Sequence, residues 1–167
     1  SFHTHSIHMN GVNLAEFVAP AGGSSIANTI QRNVDAVVAQ GERTGQPMFI
    51  HLNHPNFQYA ETVEDFMQVD SAAGDGFFEM YNGHSGVNNY GDALHESSER
   101  MWDIVLAKRI GELDLEVFYG VAVDDAHEYT VWGLGEVNPG RGWLMVKSQW
   151  LTPNKITEAI KRGDFYN

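Results

Sequence analysis

Short apolar runs alternate with helix-forming stretches along the chain, and this alternation narrows the fold more than any other feature. Residues 7–14 read as a first strand. Ser24-Ser25 can cap a helix running to about Gln40, with Ile26, Ile30, Val34, Val37 and Val38 on one stripe and Gly41 as its stop. Residues 47–52 form the next strand, ended by Pro55. Thr62 opens a short helix, with Asp65 in the place of the usual Glu of a capping box. Residues 76–81 form a third strand. Ser97 or Ser98 caps a helix to about Leu113, buried through Met101, Ile104, Val105, the Lys108 stem and Ile110. Residues 115–123 are a nearly all-apolar fourth strand, as expected of one covered on both faces. Residues 143–147 make a fifth. Thr152-Pro153 starts a last helix at its cap and first position, and Gly163 ends it.

The order βαβαβαβ, then a strand and a helix, predicts an α/β fold of alternating parallel strands with helices outside, as a barrel or an open sheet. A complete eight-unit barrel takes roughly 250 residues. With 167 residues the chain is a small α/β sheet or part of a barrel.

Composition limits the chemistry. There is no cysteine, so disulfides and thiolate metal sites are excluded, while the compartment stays open. The net charge of −12 argues against nucleic acid or an anionic membrane surface as partner. Bound divalent cations would offset that charge locally, so a small anionic substrate stays compatible with it. No apolar run approaches 18 residues, which predicts no transmembrane helix. The chain starts at Ser1 without Met, which reads as a processed, trimmed or partial product.

Polar clusters follow the apolar strands: His51 to Asn56 after the second, Glu79 to His84 after the third, and Asp124 to His127 after the fourth, with His8 inside the first. In parallel α/β folds the carboxyl ends of the strands form one rim, where sites are built. Imidazole and carboxylate together suit zinc, manganese or iron. Asp125 and His127 have period-two spacing and project to one side if the segment stays extended; the plainer alternative is a polar turn. Pro55 stops a strand sharply and holds His54 at the rim. Glu79 in an apolar strand is a ligand, a partner to a histidine or a salt-bridge residue. Asn82 belongs to the same cluster, and His84 after the Gly83 turn faces substrate. Arg141, in the turn at residues 138–142, is a candidate anchor for a phosphate or carboxylate, with a solvent-facing turn residue as the alternative. His51 points away from His54 and reads as structural. His3 and His5 have same-face spacing and are further candidate ligands, weakened by their place near a terminus. The His95-Glu96 start of a zinc-protease motif fails at Glu99, where a histidine is required.

His54-Pro55-Asn56, Glu79 to Gly83, Asp125-Ala126-His127 and the closing segment 142–166 together resemble the PHP (polymerase and histidinol phosphatase) superfamily of metal-dependent hydrolases. The resemblance covers the later part of that family's pattern. It implies a distorted seven-stranded, TIM-like β/α barrel with a two- or three-metal cluster at its rim, and phosphoester hydrolysis. It implies His8, His54, Asp125 and His127 as metal ligands. The family's opening elements, an Asp-Gly turn and a Thr-Asp-His run, have no counterpart: Asn10-Gly11 stands where the turn would be. The implied reading is one PHP-like domain over residues 1–167 that lacks its N-terminal βα units.

Two functional classes follow. One is a metal-dependent phosphoesterase acting on a small phosphate ester. The other is a degenerate, non-catalytic binding module whose open barrel edges pair into a homo-oligomer. A metal enzyme acting on an amide or a glycan is a third reading, because function lives in loops grafted on the fold.

Overall fold

The computed structural model describes residues 7–72 and 74–167 and is built on a four-stranded sheet in the order β1-β2-β3-β4. The strands are β1 (Met9–Val12), β2 (Phe49–Leu52), β3 (Gly76–Asn82) and β4 (Tyr119–Val123). Helices α1 (Ile26–Thr44), α2 (Val63–Met67) and α3 (Ser98–Gly111) link them in turn. A two-stranded antiparallel sheet of β5 (Met145–Val146) and β6 (Phe165–Tyr166), joined by α4 (Pro153–Lys161), follows.

The barrel expectation is overturned. The main sheet is open and four-stranded, and the described residues form no closed barrel, so the seven-stranded TIM-like form does not hold. The all-parallel expectation fails at one strand. β2, β3 and β4 are parallel, but β1 pairs with β2 antiparallel, Met9 opposite Leu52 and Val12 opposite Phe49.

The reason lies in the connection. After β1 the segment at 13–25 doubles back along α1. Gln40 accepts from the Ala15 and Glu16 N–H groups and donates to the Glu16 carbonyl. Seven residues earlier on the same helix, Asn33 accepts from Ala21 N–H and donates to its carbonyl. This strap returns the chain to the other end of the sheet before α1 begins. The helix then delivers β2 in the opposite direction to β1.

Two apolar clusters sandwich the sheet. On one face Ile50, Leu52 and Phe78 pack with Ile30, Val34 and Val37 of α1, Phe66 of α2, and Met101 and Val105 of α3. On the other, Phe49, Phe77 and Val121 pack with Ile160 and Ile156 of α4 and Phe165 of β6. The antiparallel β5–β6 pair thus covers a face and adds no parallel strand.

Local signals set most element ends. Ser25, Thr62, Ser97 and Thr152 cap the four helices, Thr62 and Asp65 forming the full reciprocal box. Gly41 does not end α1; the helix runs on to Thr44, and Gly45 closes it in the left-handed region at φ 67°. Gly41 instead lies beside Met48, where a Cβ would come within 3.3 Å of the side chain. Helix α3 buries Arg109, and Ile110, expected inside, is 55% exposed.

Candidate functional site

Because β2, β3 and β4 are parallel, their carboxyl ends share one rim. Reversal of β1 places its amino end there too, and Asn53 N–H donates to the His8 carbonyl at 3.0 Å. His8 therefore reaches the rim by a route opposite to the expected one: it precedes a strand that runs backwards. Four chain segments supply the cluster, as the pattern of apolar runs predicts, without a barrel to gather them.

His8 Nδ1 lies 3.1 Å from His54 Nε2, the rings edge-on. His54 sits at φ 30° and Asp125 at φ 50°, in the left-handed region that residues with a side chain seldom enter. Such strain costs on the order of 1–3 kcal/mol per residue and collects where geometry serves a site.

Glu79 organises the centre. It is 2% exposed. Its Oε2 accepts from His54 N–H at 2.6 Å and from the Asn82 amide at 2.8 Å. The same amide donates to Asp125 Oδ2 at 3.1 Å. Residues three apart on a regular strand face opposite sides. A register shift between Glu79 and Tyr81 resets the alternation and turns Asn82 towards Glu79. Burial pushes the Glu79 carboxyl up to about 7; the Asn82 and His54 donors act against the rise, and the Asp125 charge adds to it.

His51 Nδ1 stands 3.5 Å from Glu79 Oε1, outside hydrogen-bond geometry. Burial lowers this imidazole to about 4, so it is neutral at physiological pH. It stands beside Glu79 within the sheet. Burial also lowers His54; Asp125 opposes that shift, and the His8 and His84 rings reinforce it.

Two further histidines have their ring protons fixed by neighbours. His127 Nδ1 donates to the Asp125 carbonyl at 2.6 Å, which leaves the Nε2 lone pair free. His84 Nδ1 accepts from Gly86 N–H at 2.9 Å, so the neutral ring carries its proton on Nε2 and is a donor. Their rings meet edge-on at 5.1 Å.

Asp124, not singled out from the sequence, fixes the loop after β4. It accepts from Arg141 N–H at 2.5 Å and Gly142 N–H at 2.8 Å. Burial disfavours its charge, but the N–H groups of Gly142, Gly140 and Arg141 outweigh that and hold it below the usual carboxylate range. Buried Asn138 clamps the same loop through the Glu128 and Val131 carbonyls. The Arg141 guanidinium turns to the Glu136 carbonyl, so the expected substrate anchor is engaged within its own loop. His95 pairs with Asp92 and stacks on Tyr59, away from any zinc-protease geometry.

The chemistry of the donors fits a divalent cation in part. Two nitrogens bonded to one tetrahedral zinc at about 2.0–2.1 Å stand about 3.3 Å apart, close to the His8–His54 spacing. Among the described residues, however, no group of three or more His, Asp or Glu is already arranged to hold a metal ion. His3 and His5 lie outside the described residues. Compared with protein-family models, with curated proteins and with solved structures, the chain gives no match.

Proposed function

We propose that the chain is a metal-dependent hydrolase acting on a small phosphate ester at this rim. The observation that carries the reading is the convergence of His8 and His54, from oppositely running strands, to 3.1 Å between ring nitrogens. His8 and His54 would hold the cation, with Asp125 and the free Nε2 of His127 closing on it from the β4 side. A bound divalent cation supplies an acidified water and neutralises charge on substrate oxygens. Glu79 and Asn82 orient the ligands: they fix the His54 backbone and the Asp125 carboxylate. His84 presents Nε2–H to a substrate oxygen.

Chelator-stripped protein reloaded with manganese or zinc should hydrolyse p-nitrophenyl phosphate, and His54→Ala and Asp125→Ala should each abolish both metal retention and turnover. Turnover unchanged in both variants would contradict the reading. A second reading, a binding rim without turnover, draws on the absence of three preset ligands among the described residues. It predicts metal uptake lost in the same variants, with no hydrolysis of phosphate monoesters, diesters or amides by the wild type.

A further inference from the structure

The structure assigns to the cavity between α2, α3 and the segment at 94–96 a second binding site, for a small amphiphilic organic cation whose ammonium group seats on Glu61. The cavity measures about 570 Å³, and none of His8, His54, Asp125 or His127 lines it. Glu61 lines it, is 4% exposed, and has an Oε2 atom without a hydrogen-bond partner. No Lys, Arg or His among the described residues lies within ion-pair distance of it. A buried carboxyl in that position is costly unless something brings it a donor or a counter-charge.

Three features of the surroundings choose the chemistry. Asp65 and Glu79 are the charges that act on Glu61, and both are negative, so an anion is repelled from the buried end. Val63, Met101 and Ile104 give the cavity an apolar body. Tyr59 and His95 also line it, stacked at 3.7 Å and 6°, which makes a flat aromatic element on which an alkylammonium or ring can lie. Arg100 and Lys108, with Glu64 and Glu96, supply the remaining charge of the lining. The two cations, on α3, orient the ligand with its ammonium inward and away from them. An ammonium provides N–H donors and the missing positive charge at once, which a neutral alcohol of the same shape does not.

The probe is benzylamine, with benzyl alcohol as its neutral counterpart, titrated into the full chain by calorimetry at about pH 8.5, above the value of about 8 to which burial raises the Glu61 carboxyl and where the amine still carries its proton. Benzylamine should bind at least about tenfold more tightly than the alcohol, the worth of one charge-assisted hydrogen bond. Glu61→Gln should reduce the amine to the affinity of the alcohol. Ile104→Trp, which fills the cavity and leaves Glu61 in place, should remove both. Absence of benzylamine binding to the wild type, equal binding of amine and alcohol, or amine binding untouched by Ile104→Trp would overturn the assignment, and each of these is readable even if the Gln variant does not fold.

Discussion

At the amino ends of the parallel strands, cations are drawn inside and tie backbone carbonyls together; at the carboxyl ends, imidazoles and carboxylates are oriented around one rim. Arg109, 0% exposed, donates to the carbonyls of Phe66, Val69 and Glu116 and lies 4.4 Å over the Phe118 ring. Lys161 ties the Met48 carbonyl to Asp75 just before β2 and β3 begin. At the rim the hydrogen bonds set direction instead: the Asp125 carbonyl takes the His127 proton and frees the other nitrogen. Burial of a charge therefore does not mark a site by itself. What distinguishes the rim is that its contacts orient imidazoles and carboxylates, whereas those at the other end hold backbone segments in place, in the division of labour expected of the two ends of parallel strands.

The largest expected effect is at the closed end. Arg109→Leu strands three backbone carbonyls and should lower unfolding free energy by on the order of 3–5 kcal/mol in urea denaturation. Metal uptake by the fraction still folded should not change; a loss of affinity without a loss of stability would break the distinction between the two ends.

Glu61 gives the next effect and carries a sign. Burial, reinforced by Asp65 and Glu79, raises its carboxyl from about 4.5 to about 8. The folded state thus holds a proton that the unfolded state releases above 4.5. The stability it contributes is complete below pH 4.5 and is lost as pH rises to about 8, at up to about 1.4 kcal/mol per pH unit. Measured against Glu61→Gln, wild-type stability should fall across that window and level off above it. A flat difference would show that the carboxyl is ionised in the folded chain.

Glu79→Leu removes the shared acceptor of His54 N–H and the Asn82 amide. It should weaken metal binding by about 10–100-fold, the usual worth of a group that orients ligands, as read by competition with a chelating dye. An unchanged affinity would reduce Glu79 to a packing residue. The smallest effect is expected from Gln40→Ala, which releases residues 15 and 16 from α1. It should cost on the order of 1–2 kcal/mol and raise amide exchange along β1 before the rest of the sheet.

Three of the clusters around the rim could be read from the sequence because they lie at or after the ends of apolar runs; His8 precedes its strand and reaches the rim only because β1 is reversed. Caps and stops such as Thr62, Pro153 and Gly163 were equally legible, being local chemistry. The direction of β1 was not. It depends on Asn33 and Gln40, two polar residues seven apart on α1, and their only sign in the sequence is that they interrupt the helix's buried stripe, where apolar residues would otherwise stand. Strand–helix alternation left a barrel and an open sheet equally possible; the barrel came from the family resemblance, and the open four-stranded sheet overturns it. Arg109 displaced Ile110 from the interior because carbonyls at the end of α2 wanted a donor, a demand that arises only once the helices pack. Glu61 gave no signal, since its burial is made by neighbours distant in sequence.

On the proposed reading, His8, His54 and His127 offer ring nitrogens to one divalent cation. The most direct measurement follows imidazole nitrogen resonances of ¹⁵N-labelled protein during addition of zinc. His8 Nδ1, His54 Nε2 and His127 Nε2 should move together to one equivalent, while buried His51 and Asp92-paired His95 stay in place. Movement confined to His95, or no stoichiometric change at His8 and His54, would contradict it.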